Sequence, residues 1–462
     1  MINIITRFLI FFTITTFSFS IYEDEINDLF SQEVVEKSNK LIIEQEVKVE
    51  TIDPIKLRDT YSRRAMQYFY AQLFRFNKNG EIVPYLLAEY KYNDNTELYC
   101  KLRDDIYFSN GDPITSEDVK SSIENFLKNG YMNNLYASIK QVKVINNKEF
   151  LIILNYPDYD LKIGLTNPSM SILKRKDGKI LTSGPYSIER FDNRKLKLKK
   201  NEYYFEDDIP FEKMDIKGEL SSYQRVINSL NIPNYYSYDL YQEDVDKAKK
   251  IGYLKDKEVS KDSIFDIISL IFGNEREYSL EEKKALESLL NRDATTIYPK
   301  DLFDIKVSAL EKKYSKEEAV QLLKKSGIFN EKIKIMCLNT IHNRNYVQYV
   351  AYNLTENGLD VEVEIYNLEK FLTKLRTKDY NIALYNVTMN KAYPLTSLEK
   401  IIVGEIIAPE LEDALLPFFQ MYKNEKNKNN RARLIDKIFY LIYSSRYIIP
   451  IAHQQTYIIK NF

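Results

Sequence analysis

Apolar positions along the chain switch repeatedly between a period of two and a helical spacing, which predicts mixed α/β structure. Gln45–Asp53 alternates and predicts a short strand ending at Pro54, whereas the acidic, weakly periodic stretch 21–46 predicts no element. Arg63–Phe76 carries Met66, Phe69, Tyr70 and Leu73 at helical spacing and reads as a helix that stops at Asn77-Lys78-Asn79-Gly80. Tyr90–Tyr92 with Glu97–Leu102, and Val142–Ile145 with Phe150–Leu154, read as strand pairs joined by Asn/Asp turns. Between them, Ser116–Lys128 presents Val119, Ile123, Phe126 and Leu127 on one helical face. Thr182–Ile188 bends at Gly184-Pro185 into a strand, and Lys195–Lys200 (KLKLKK) alternates as a half-exposed strand. Further on, Leu280–Ser326 is mostly helical, Lys332–Leu338 and Val361–Ile365 flank a helix at Tyr346–Asn357, and Phe371–Leu375 precedes a strand at Ile382–Val387. Strand–helix–strand order implies a mixed sheet. Glu412–Tyr443 reads as helix with a polar centre, Lys423–Arg433.

Phe108–Thr115 (FSNGDPIT) is the most informative short run. Asn110-Gly111 supplies the positive-φ residues of a tight turn. Pro113 delays the next helix, and Thr115 opens it with Asp118 in its first turn, where a carboxylate favours the helix dipole.

At 462 residues the chain is long enough for two or three domains, and 44% hydrophobic with 29% charged residues supports a sizeable core. A net charge of -1 gives no global pull toward nucleic acid or anionic lipid. The basic residues of Lys423–Arg433 read as a solvated helix face. Residues 1–20, MINIITRFLIFFTITTFSFS, have Arg7, an apolar stretch and Ser18 and Ser20 before a cut, the layout of a secretory signal peptide. Tyr22–Glu25 end that run too early for a membrane anchor, and no Cys follows for lipid attachment, so a soluble exported protein is expected.

Two Cys and two His are too few for a zinc or disulfide framework. Cys100 and Cys337 read as small buried hydrophobes, although an exported compartment permits a disulfide. His342 lies at an odd strand offset from Cys337, so the pair points to opposite faces, and His453, after Ile449-Pro450-Ile451, reads as packing. No nucleophile elbow, zinc helix, Walker loop or dinucleotide fingerprint occurs. No pair of carboxylates is marked by apolar flanks that would raise one of their pKa values. Enzymatic chemistry is therefore unsupported, and no catalytic residue, metal ligand or cofactor is assigned.

Several segments resemble the extracellular solute-binding proteins of type 5, the family of dipeptide and oligopeptide receptors of ABC importers. The opening match is Ile52-Asp53-Pro54, then Tyr70–Phe76 (YAQLFRF), Asn79-Gly80, Val83-Pro84 and Leu87-Ala88-Glu89. Lys101–Val119 (KLRDDIYFSNGDPITSEDV) is similar to the family's densest signature. Ser183-Gly184-Pro185-Tyr186 with Asn201–Tyr204 is similar to a third, and Lys284–Asn291, Glu317–Gly327 and Ile449-Pro450-Ile451 are weaker echoes.

The resemblance implies a periplasmic-binding-protein-like clamp of two lobes, the type II three-domain variant, with mixed sheets and a hinge. Residues 21–60, 180–255 and 432–462 would form the first domain, 61–179 the second inserted into it, and 256–431 the opposite lobe, with crossings near 256 and 431. It further implies a monomeric receptor that closes on a peptide or another small solute and docks on a cognate ABC permease at the membrane, with no nucleic-acid partner. The candidate ligand-binding residues are Arg58, Asp59, Thr60 and Tyr61 after Pro54, and Asn386, Val387, Thr388 and Asn390 opposite. Peptide-binding relatives place an Asp after a Trp to meet the peptide N-terminus; here Val387 and Asn390 occupy those places, so neither family residue is present. Asn offers a dipole but no countercharge. A sensor or adhesin without transport, or a receptor for a metal complex, are the alternatives.

Overall fold

The computed structural model describes residues 39–131, 133–192, 195–254, 259–294, 296, 314–390, 395, 398–399 and 409–462. The expected signal segment 1–20 lies outside them.

Among the described residues, ten strands build one mixed sheet. They are β1 (Lys40–Glu44), β2 (Tyr186–Phe191), β3 (Lys195–Lys200), β4 (Lys213–Lys217), β5 (Tyr235–Tyr241), β6 (Val259–Phe272), β7 (Lys332–Leu338), β8 (Asp360–Tyr366), β9 (Ile382–Asn390) and β10 (Ile448–Asn461). Their order is β2-β3-β4-β1-β5-β10-β6-β9-β7-β8. β1 lies parallel to both β4 and β5, and β7 parallel to β8 and β9, while β10 runs antiparallel to β5 and β6. The helix Ile341–Thr355 makes the crossover from β7 to β8, as the alternation of apolar segments predicted.

A separate four-stranded sheet takes the order Leu87–Asp94, Glu97–Leu102, Glu149–Leu154, Ile139–Val144. The helix Ser116–Asn129 covers it with Val119, Ile123 and Phe126, which share a core with Leu98, Phe150 and Ile152. Thr115 and Asp118 form a reciprocal capping box at its start. Gly111 has φ +85°, and a Cβ there would stand 3.0 Å from the Tyr203 ring, so both the turn and the close approach require glycine. Thr115→Ala removes one side-chain acceptor from the helix end and should lower stability by about 1 kcal/mol, read as a shifted urea midpoint with unchanged slope.

Three expectations change. Strand β1 sits at Lys40–Glu44 rather than in Gln45–Asp53, which is not a strand. The helix expected over Arg63–Phe76 covers only Thr60–Met66; beyond it Ala71 bridges Ile172, and Phe74–Phe76 pairs with Ile82–Pro84. The single helix expected over Glu412–Tyr443 is two, Pro409–Asn424 and Lys428–Ser445. The second of these buries Ile438, Phe439 and Ile442 with Ile267, Phe371 and Val387.

The core residues divide accordingly. One core draws on residues 71–172, another on 41–70 and 186–216, and a third on 226–254 with Tyr457 and Ile459. Two more flank the β6–β9–β7 part of the ten-stranded sheet and reach from Ile267 to Ala452. β6 and β10, each 14 residues long, carry the chain between these regions. Their pairing slips there: Lys261 opposes Tyr457, yet Phe265 opposes Gln455, leaving three residues of β6 against one of β10. The Asp262 carbonyl released by that bulge accepts a hydrogen bond from Gln455 Nε2 at 2.9 Å. Cys100 and Cys337 are free thiols, each buried in a core.

Candidate functional site

A cavity of about 170 Å³ lies where four parts of the chain converge. The first wall starts at Asp53-Pro54, a one-turn 3-10 helix that directs the chain to Arg58. Asp59 caps the helix Thr60–Met66, its Oδ1 accepting from the Ser62 amide at 2.7 Å. Ser62 turns away, its hydroxyl accepting from the amides of Glu50 and Thr51 at 3.0 and 3.2 Å. That fixes the helix rotation so that Thr60, Tyr61, Arg63 and Arg64 line the cavity.

The second wall is the end of β5. Its pairing with β10 slips between Ser237 and Leu240, and Asp239 takes a left-handed φ of +51°. This kink turns the carboxylate onto Arg64, which donates two hydrogen bonds to it, one of them 2.8 Å long. Arg64 also lies 4.0 Å from Asp262 and 4.7 Å over the Tyr238 ring. Burial opposes the guanidinium charge, but Asp239 and Asp262 more than offset it. Asp239, although buried, is held below the usual carboxylate range by Arg64. Tyr241 donates to Glu46 Oε2 at 2.6 Å, and burial raises the pKa of Glu46 despite that bond and the charge of Arg225. Behind Tyr241, His342 stacks at 3.9 Å, and burial lowers its pKa to about 4.

The third wall is the β6–β9 pair. Asp266 stands opposite Thr388 in register, and its Oδ1 accepts from the Thr388 hydroxyl at 2.8 Å. Burial, with the charge of Asp239 behind it, pushes the Asp266 carboxyl up to about 7. Leu384, Tyr385 and Asn386 continue this wall. The fourth is mostly apolar: Leu338 at the end of β7, Asn343 just after it, and Leu368, Phe371 and Leu372 from the helix Leu368–Thr377.

Of the residues singled out in the sequence, Arg58, Asp59, Thr60, Tyr61, Asn386 and Thr388 border this one cavity. Val387 alternates to the other face of β9 and is fully buried among Ile267, Phe371 and Phe439. Asn390 pairs through its backbone with Ile264, and its side chain lies outside the described residues. Glu46, Arg63, Arg64, Asp239, Tyr241, Asp266 and Asn343 were not found from sequence. Asp266 carried a signal, a lone acid inside the apolar run Ile264–Phe272, where burial raises its carboxyl. His453, read as packing, is exposed, with its Nε2 2.7 Å from the Thr296 carbonyl oxygen.

The cavity thus combines side chains of both charges with an apolar wall, the lining typical of a small-molecule site. Comparison places the fold among the periplasmic binding proteins. The Escherichia coli murein tripeptide binding protein MppA superposes with a TM-score of 0.80 at 17% identity, over 93% of this chain and 95% of that one. The periplasmic binding protein DppA of Helicobacter pylori, solved with the peptide STSA, superposes with a TM-score of 0.77 at 17% identity, over 91% and 94%. Residues 81–227 match the family described as bacterial extracellular solute-binding proteins, family 5 middle. The nickel-binding protein NikA of Staphylococcus aureus is 26% identical over 314 residues, 63% of this chain and 63% of that protein. The chain is thus similar to family 5 extracellular solute-binding proteins, through that family's middle region at residues 81–227, and it spans about 63% of the length of the NikA relative it matches.

Proposed function

We propose that the protein is the substrate-binding receptor of an ABC importer, capturing a peptide or similar small solute without turning it over. The observation that carries this reading is the cavity itself, whose walls come from separate cores. Thr60–Arg64 and Asp239–Tyr241 belong with the chain before residue 255, and Asp266, Leu384–Thr388 and Phe371 with the chain after it. A solute touching both sets favours the conformation in which they are close, which is the thermodynamic requirement for closure on ligand. The ligands named for similar proteins, a tripeptide, the peptide STSA and nickel, support a small polar solute.

On this reading the described residues divide into a first lobe of 40–60, 180–254 and the end of β10, an inserted domain of 61–179, and an opposite lobe of the rest to about residue 452. The inserted domain and the opposite lobe also touch: Arg431 Nη2 lies 2.7 Å from both Asp160 oxygens, and Lys423 Nζ 3.1 Å from the Leu135 carbonyl. The protein is exported as a monomer after loss of residues 1–20, works in the periplasm, and delivers its cargo to a membrane permease. No described helix is long and apolar enough to cross a membrane.

Thermal melts of purified protein against a peptide digest, an amino-acid mixture and nickel–histidine, with small-angle scattering on the best binder, test this. A raised Tm and a smaller radius of gyration are expected with a member of the first two pools. No response to any pool overturns the receptor reading.

A further inference from the structure

We infer that the protein carries an ion-paired latch between its inserted domain and its opposite lobe, Asp160 to Arg431 beside Lys423, which holds the two together before any solute arrives and so sets how tightly a solute is bound. The inference rests on the receptor reading above and adds a device outside the cavity that tunes it.

The run Lys423–Arg433, read from sequence as a solvated helix face, supplies one side of the latch. It joins the helices Pro409–Asn424 and Lys428–Ser445, whose apolar faces pack with Ile267 and Val387. The other side is the stretch 135–160 of the inserted domain, whose core holds Tyr136 and Leu154. Among the described residues neither core reaches into the other, so the contact between them is polar. Arg431 Nη2 donates to both Asp160 oxygens at 2.7 Å, and the Tyr159 amide donates to the Lys423 carbonyl at 2.9 Å. Lys423 Nζ reaches the Leu135 carbonyl at 3.1 Å while pairing with Glu399 at 2.7 Å. None of these residues lines the cavity.

Each side is shaped by its own hydrogen bonds. Asp158 accepts from the Ser138 hydroxyl at 2.6 Å and from the Asp160 amide at 3.0 Å, which fixes the turn that presents Asp160. Across the contact, Asn427 caps the helix Lys428–Ser445, and Arg431 in its first turn lies 3.9 Å over the Tyr422 ring. Groups set in place in this way lose little side-chain freedom on pairing. The four charged side chains keep only 12% to 20% exposure. Burial lifts the Asp160 and Glu399 carboxyls although Arg431 and Lys423 oppose it, so both pairs stand partly out of water. Fixed, bidentate and half-desolvated, this contact differs from the exposed ion pairs that contribute nothing measurable.

Charge suits a contact that has to open. On the receptor reading the lobes swing about β6 and β10, and residues 135–160 and 423–431 lie off those strands, so opening breaks their links. An apolar patch in the same place would hold the lobes shut more firmly and be left facing water when they part, whereas carboxylate, ammonium and guanidinium groups return to solvent. A modest bias toward the closed form then passes in full into the apparent affinity for every solute that binds that form.

The test is small-angle scattering on the full chain without solute, then calorimetry with the strongest binder from the peptide digest and the amino-acid mixture. Ligand-free protein is expected to scatter as the closed structure does. Arg431→Gln should enlarge its radius of gyration and weaken that binder about five- to tenfold, while saturation returns the variant to the parent's radius. Asp160→Asn should do the same, and adding it to Arg431→Gln should weaken binding less than about twofold further, because its partner is already gone. Variants that lose stability yet keep the parent's ligand-free radius and affinity overturn the latch and leave the receptor reading intact. An open ligand-free parent also overturns it, a measurement that stands even where a variant fails to fold. Silence toward every pool overturns the receptor reading, and the ligand-free radii still decide the latch.

Discussion

Arg64→Met is expected to cost the fold about 3–5 kcal/mol at pH 7, the penalty of removing one partner from a buried ion pair. The reason is local crowding of acids. Arg64 is buried, holds Asp239 through two hydrogen bonds and approaches Asp262, and Glu46 and Asp266 line the same cavity. Methionine fills much of the space and keeps some contact with the Tyr238 ring, but it leaves these carboxylates facing one another. Urea titrations of the variant and the parent chain would read the loss. The deficit should shrink at pH 4.5, where the orphaned acids take up protons, and Arg64→Met/Asp239→Leu should recover a large part of it. An equal deficit at both pH values would mean that lost packing, not lost charge compensation, is responsible.

Asp266→Asn should do the opposite in ligand-free protein and stabilise it by about 2–4 kcal/mol at pH 8. The Asp266 carboxyl titrates at about 7 in the folded chain, above its unfolded value near 3.8. Between those values the native state holds a proton that the unfolded chain has released, so stability falls as pH rises through this window. Asparagine keeps an oxygen for the Thr388 hydroxyl and removes the charge. Its stability curve should therefore be flatter between pH 5 and pH 8. Glu46 and Asp59 are raised by burial as well and retain a slope of the same sign. A variant no more stable than the parent at pH 8 would contradict the burial argument. A gain in stability on removing a buried charge that lines a cavity is the usual signature of a site whose strain serves function.

What could be read from the sequence was local. The FSNGDPIT run, the Ser116 helix and the hairpins at 87–102 and 139–154 are set by turn chemistry and short-range periodicity, and they sit where expected. β1 escaped because its partners, β4 and β5, lie about 170 to 190 residues away in sequence and its acidic surroundings masked a five-residue strand. The false helix over Phe69–Phe76 arose because Phe69 and Tyr70 share a core with Leu41 and Tyr186, whereas Leu73 and Phe74 face the four-stranded sheet. Two cores thus mimic one helical stripe. The site divides the same way. Arg58–Tyr61 and Asn386–Thr388 follow from a resemblance, while Asp239 depends on a kink in β5 and Asp266 on strand register, which no short window of sequence contains.

The slip between β6 and β10 has a mechanical meaning. If the two lobes proposed above close on a solute, adjacent strands of one continuous sheet span their boundary, and the swing would be taken up as torsion along a shared ribbon, at the few peptides where cross-strand rungs are missing. Gln455, by clasping the Asp262 carbonyl, acts as a soft brace on that joint. The residues 262–264 left unpaired with β10 end two residues before Asp266, so on that reading the pivot adjoins a wall of the cavity.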